Sequence, residues 1–208
     1  MRTEQWIELL ARDAEPVRRG EPLRRLGLAV GLGLGLSAAL SWVWLGPAVP
    51  FAVGFGQVVK FAFVLALLWA GLAHLRRLGL PGHRGSAAAQ FGVLGGMALI
   101  SLVLWVLTPA PERLDLLLGQ SWFSCPWRVA LLSLPALGLL LWALRAWAPT
   151  QARRAGAMAG LAAGAAGALG YALHCPEWSP LFVLGWYGLG MLLPAALGGW
   201  LGPRVLRW

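Results

Sequence analysis

Six apolar runs, each close to twenty residues, decide what this chain can become. They extend approximately over 26–45, 55–75, 87–107, 126–147, 155–175 and 181–201. An α-helix rises about 1.5 Å per residue, so about 20 such residues cross the roughly 30 Å of hydrocarbon in a bilayer. The gaps carry helix-stopping or turn residues: Gly46-Pro47 with Pro50, Leu80-Pro81-Gly82, Pro109 with Pro111, Ala148-Pro149-Thr150, and Pro176 with Pro180. The expected fold is all-α, a polytopic transmembrane bundle of six helices over 26–208, preceded by a tail over 1–25.

Composition points the same way. Of 208 residues, 59% are hydrophobic and 12% charged, against about 25% charged in a soluble domain, so polar surface is too scarce for water. The formal charge of +9 does not imply a nucleic-acid binder. Its arginines sit in short clusters between apolar runs, with no basic stripe of interleaved aromatics, and no direct nucleic-acid contact is expected. A cleaved signal peptide is not expected either. The charged stretch before Leu26 is long for an n-region, and the run after Arg24-Arg25 is long enough to span. A single lysine, no asparagine and abundant Ala, Gly and Leu suggest a GC-rich bacterial genome.

Arginine placement sets the expected orientation. Fourteen arginines fall in the two termini and in the loops after the second and fourth runs, whereas the opposite loops hold only Arg113 and Arg128. By the positive-inside rule the arginine-rich side, with both termini, is cytoplasmic. Tryptophans near the run ends, among them Trp42, Trp69, Trp122, Trp147 and Trp200, read as interfacial belt residues. Gly156, Gly160 and Gly164, continued by Ala168 and Ala172, give the fifth run one small face for close helix packing.

The two cysteines, Cys125 and Cys175, carry most of the chemical content. They begin the fourth run and end the fifth, which form an antiparallel hairpin, so both thiols are expected at the same outer depth. Pro126 suits a first helical position, making Cys125 the expected N-cap. With Arg128 nearby, Cys125 is expected to be the more reactive thiol. His174 and Glu177 flank Cys175. Two thiols and an imidazole suit a soft metal ion; a disulfide stapling the hairpin suits the spacing equally. No cofactor is expected to be obligatory. Lys60 is the one charged residue clearly inside a run. Its ammonium can snorkel to the outer interface, or pair with Glu177.

In the tail, Thr3 and Glu4 suit a helix start. Trp6, Ile7, Leu10 and Ala14 share one side, Glu8, Arg12 and Glu15 cover the other, and Pro16 ends the segment. The pattern fits a helix on the lipid surface or a docking element for a cytoplasmic partner.

Several motifs resemble the NrsF family of bacterial anti-sigma factors. They are Leu118-Gly119-Gln120-Ser121-Trp122 with Cys125-Pro126, Leu141-Trp142-Ala143-Leu144-Arg145 with Ala148-Pro149-Thr150, and Tyr171-Ala172-Leu173-His174-Cys175-Pro176-Glu177. Trp186-Tyr187-x-Leu189-Gly190 and Leu201-Gly202-Pro203-Arg204-Val205-Leu206-Arg207-Trp208 fit as well. Lys60 matches a lysine of the family's second span. The likeness is densest from residue 118 onward. It implies a six-span inner-membrane regulator, not an enzyme, that holds an extracytoplasmic-function (ECF) sigma factor inactive. Heavy-metal or related stress then releases the sigma factor, with Cys125 and Cys175 as the sensing pair. The competing readings are a small transporter or metal permease and a membrane thiol oxidoreductase. A permease calls for ionisable or thiol ligands near the midplane and broken helices in matching halves. An oxidoreductase calls for a CxxC. Neither feature is evident.

Overall fold

The computed structural model describes residues 3–12, 20–46, 54–78 and 86–207. Among them the chain forms eight α-helices, here α1 (Thr3–Arg12), α2 (Glu21–Leu45), α3 (Phe55–Leu78), α4 (Ala88–Leu107), α5 (Arg113–Leu118), α6 (Cys125–Leu144), α7 (Ala152–Ala172) and α8 (Pro180–Val205). Six of these, α2, α3, α4, α6, α7 and α8, are long and apolar enough to cross a membrane. Helix α8 carries one π-turn, Val183–Tyr187, of the kind often found at functional sites.

Helix α7 is the centre of the bundle, packed by α2, α3, α6 and α8. Its sequence explains the position. It is mostly Ala and Gly and the least hydropathic of the six, so it gains little from facing lipid, while its small side chains let four neighbours close in. The contact with α8 is main chain on main chain. A Cβ at Gly156 or Gly160 would run into the carbonyls of Gly198 and Pro194, and one at Gly202 into that of Ala152. Gly167 likewise faces the Val129 carbonyl of α6, 2.7 Å from where a Cβ would lie, and Gly170 faces Ser37 of α2 at 2.9 Å. The small face expected at Gly156, Gly160 and Gly164 is thus an intramolecular seam, and two further glycines serve other neighbours.

Helix α2 is tied to α6 by Ser37 Oγ, which donates to the Leu132 carbonyl at 2.8 Å. Most of the tryptophans near helix ends are exposed on the bundle surface, including Trp42, Trp69, Trp122 and Trp200. Trp147 differs: its indole Nε1 donates to the Pro22 carbonyl at 3.2 Å and pins the start of α2. At the same arginine-rich end, Arg145 Nε donates to the Val205 carbonyl at 3.1 Å, satisfying the last turn of α8. Helix α4 is the outlier, packed mainly on α3 and the first turns of α8 and with little buried surface. A polar node joins it to α3, where Gln90 Nε2 donates to the Ala70 carbonyl at 3.1 Å and meets His74 Nδ1 at 3.2 Å.

In the tail, α1 covers most of the expected helical segment and Trp6 is exposed. The side chains of Ile7, Leu10 and Arg12, and all of Ala14, Glu15 and Pro16, lie outside the described residues.

Candidate functional site

The cysteine end of the bundle is built from two loops and the start of α3. The loop after α5 makes a turn at Gly119, and the chain re-enters a helix at Cys125 with Ser124 as N-cap. Cys125 is therefore the first helical residue, one position inside the N-cap expected from the sequence. The shift arises because the turn before it is already coiled, so that the Cys125 N–H donates to the Ser121 carbonyl at 2.9 Å. The second loop follows α7, which ends at Ala172. Cys175 thus lies beyond the helix rather than within it, although its N–H still donates to the Tyr171 carbonyl at 3.0 Å.

Ser121 joins the two cysteines. Its carbonyl holds the Cys125 backbone, and its hydroxyl lies 3.8 Å from Cys175 Sγ. Both cysteines are free and buried. Burial means that a reagent reaches Cys125 only when the loops open, whatever its helix position does for reactivity.

Glu177 is held by the opposite loop. Its Oε1 accepts from the Gln120 N–H at 2.7 Å. The carboxylate lies in the concavity left by Gly119, where a Cβ would sit 2.6 Å from Oε2. Gly119 also has φ +53° and ψ −164°, a conformation nearly reserved for glycine. Trp186 closes the same loop from α8, its Nε1 donating to the Leu117 carbonyl at 2.8 Å.

Lys60 does not snorkel. It is fully buried, and its Nζ donates to the carbonyls of Cys175 at 2.9 Å and Glu177 at 3.0 Å. The expected partnership with Glu177 is thus made to the main chain, while the carboxylate serves Gln120. The reason is the loop after α7: residues 175–179 lie in no helix or sheet, so their carbonyls must find donors elsewhere, and a buried amine supplies them. Gln57, one turn earlier on α3, donates from Nε2 to the Pro176 carbonyl at 3.5 Å. Gly56 lets Trp178 lie directly on α3, a Cβ there being 2.6 Å from the Trp178 carbonyl.

His174 and Tyr187 complete the surroundings. The His174 ring lies beside Tyr171, centroids 6.5 Å apart, and its Nδ1 is buried with no hydrogen-bond partner. The Tyr187 hydroxyl, brought in by the π-turn of α8, is buried at the same end. Among the described residues, no three His, Cys, Asp or Glu side chains group as a metal site would require. Two thiols alone do not make the tetrahedral site that zinc prefers.

Sequence reading brought Cys125, Cys175, His174, Glu177 and Lys60 to this end. It did not single out Gly119, Gln120, Ser121, Gly56 or Tyr187. Gly119, Gln120 and Ser121 stood inside a recognised motif, but nothing local says that this loop receives Glu177. Trp6 lies on α1, on a separate segment of the chain from the thiol loops.

Comparison with known proteins bears on what such a bundle does. The family described as NrsF, negative regulator of sigma F, matches residues 10–208. The chain is 38% identical over 216 aligned residues to the probable anti-sigma-F factor NrsF of Azospira oryzae, covering 100% of both chains. It is 39% identical over 215 aligned residues to the anti-sigma-F factor NrsF of Caulobacter vibrioides, again covering 100% of both. No solved structure matches. These relatives are named as regulators, not enzymes, and the match runs through both cysteine loops and Lys60. The chain belongs to the NrsF family of negative regulators of sigma F.

Proposed function

We propose that this protein is an anti-sigma factor of the bacterial inner membrane, with both termini in the cytoplasm. There it holds an ECF-type sigma factor inactive, and it releases that factor when Cys125 and Cys175 are modified on the periplasmic side. The orientation is supported by the arginines, fourteen on one side against two on the other. Helix α1, with Trp6 exposed and Ile7 and Leu10 on the same sequence face, is the element assigned to the sigma factor.

The observation that supports the sensing reading is that two buried cysteines, fifty residues apart in sequence, both contact Ser121 at the end opposite the arginines, Cys125 through its backbone N–H and Cys175 through its sulfur. Two agents act on such a pair. A soft metal ion binds both sulfurs, displacing two protons. A thiol oxidant takes two electrons and two protons as the S–S bond forms. Either pulls the loop before α6 against the loop after α7. His174 and Glu177 are secondary donors beside Cys175, with Glu177 already engaged by Gln120.

The test is recovery of the sigma factor with the tagged protein from membranes, before and after cadmium or a thiol oxidant is added. Wild type should retain the sigma factor at rest and lose it on treatment. The double variant Cys125→Ser with Cys175→Ser should insert normally and keep its partner through treatment. An unchanged dose response in that variant removes the sensing role. Absence of any sigma factor from untreated membranes removes the anti-sigma role.

A further inference from the structure

At the thiol end, the first two turns of α3 hold the loop that carries Cys175. Lys60 grips the carbonyls on either side of Pro176, Gln57 takes the Pro176 carbonyl itself, and Gly56 receives Trp178. From the other side the same loop is held by Ser121 and Gln120. The Cys175 loop therefore lies between the segment leading to Cys125 and the beginning of α3. Drawing Cys175 toward Cys125 moves it along that line.

Lys60 makes this contact costly to break. Its ammonium is fully buried and no carboxylate lies within ion-pair distance among the described residues; its charge is met by two carbonyls and, at 5.8 Å, the Phe61 ring. A buried Nζ that loses such acceptors is left with unsatisfied donors, so it follows them instead. Following them means displacing α3, because Lys60 is anchored in its second turn. The other end of α3 carries His74, Arg76 and Arg77 and the bond to Gln90 of α4, which is the arginine-rich end assigned to the sigma factor.

We propose that Lys60 is the positioning residue through which modification of the thiol pair is passed to α3, and that α3 carries the signal across the membrane. The proposal rests on the thiol-sensing reading above and adds a defined receiver to it. Sensing and release thereby become separable. Lys60 touches neither sulfur, so its removal leaves modification of the thiols possible and disconnects the result.

The experiment compares Lys60→Met, Lys60→Arg and wild type in native membranes, with two readouts on each sample. Thiol occupancy is read as protection of Cys125 and Cys175 from a maleimide after cadmium treatment, and release as loss of the co-purifying sigma factor. Lys60→Met should retain the sigma factor at rest and still show cadmium protection of its thiols. Its release curve should move to doses at least about tenfold higher, the size expected when one charge-assisted contact supplies the coupling. Lys60→Arg, which keeps the charge and its donors, should recover at least part of the response. A purely structural lysine would instead lower retention at rest and thiol protection together. If Lys60→Met fails to accumulate, Gln57→Ala is read in the same way, with an expected shift of about threefold. Release by Lys60→Met at wild-type doses, or by Gln57→Ala where only that variant inserts, overturns the proposal. A wild-type protein whose release ignores cadmium overturns the sensing reading on which it stands.

Discussion

Gly119→Ala is the sharpest probe of the thiol site, because it touches neither sulfur and its cost follows from two geometric features. The backbone at φ +53°, ψ −164° strains a residue with a Cβ by about 1–3 kcal/mol. The new methyl would lie 2.6–2.8 Å from the three carboxyl atoms of Glu177, so the carboxylate must leave and its 2.7 Å bond from Gln120 is lost. Glu177 is partly exposed, and after allowance for solvent that loss is about 1 kcal/mol. Together the loop before α6 is destabilised by about 2–4 kcal/mol relative to its open form. A buried thiol is labelled only through such openings. At about 1.4 kcal/mol per decade, Cys175 should therefore react roughly 30-fold to 1,000-fold faster. The assay is the labelling rate of reduced spheroplasts by a membrane-impermeant maleimide, with Gly31→Ala as control, since a Cβ at Gly31 meets nothing within 4 Å. A Gly119→Ala rate within about twofold of wild type would refute the account of the loop as a cradle for Glu177.

Further expectations concern the bundle and the tail. Gly160→Val drives a branched side chain into the Pro194 carbonyl and Ala195; it should cost at least about 3 kcal/mol and lower the unfolding midpoint in detergent well below that of Gly31→Ala. Ser37→Ala removes the 2.8 Å bond to Leu132 and should cost about 1 kcal/mol in the same denaturation, with labelling of the cysteines unchanged. Trp6→Asp combined with Leu10→Asp should weaken recovery of the sigma factor while membrane insertion stays at wild-type levels. Full recovery from that variant would free α1 of its assigned role.

The six helices were legible because the bilayer sets a length and an apolar requirement that a sequence cannot hide. The centrality of α7 was half legible. Its Gly156, Gly160 and Gly164 stripe announced one close neighbour, but Gly167 and Gly170 acquire meaning only when α6 and α2 are present. That the two cysteine-bearing segments meet at one end of the bundle was legible from counting along a hairpin, which works because helix rise is constant. For Lys60 the sequence left two placements open, the outer interface or Glu177, for a physical reason. Near a span end the default for a lysine is water, and what overrides it here is a pair of carbonyls 115 and 117 residues away. Gly119 stood only inside a motif, because the carboxylate it admits belongs to another loop that the local sequence does not name.

A signal at one end of this bundle reaches the other only if some helix can move, and the packing says which. Helices α7 and α8 interlock main chain against main chain at Gly156, Gly160, Gly198 and Gly202. Sliding them would force each glycine past a carbonyl, so the small face acts as a lock rather than a track. Helix α2 is fastened to α6 by Ser37 and at its start by Trp147. Helix α3 meets α7 differently. At Gly71 a Cβ would lie 3.5 Å from that of Ala162, an ordinary contact across which side chains can shift. The polar bonds that tie α3 to its neighbours lie near its two ends, at Gln57 and Lys60 and again at Ala70 and His74. Beside it an apolar groove of 430 Å³ separates Leu67 and Leu94 from Leu184 and Leu189 of α8, and α4, the least buried of the six long helices, closes the far side. The displacement of α3 proposed above requires two arrangements of the bundle that differ at both ends. A tenfold change in partner affinity needs only about 1.4 kcal/mol between them, comparable to the grip of one buried ammonium on two carbonyls.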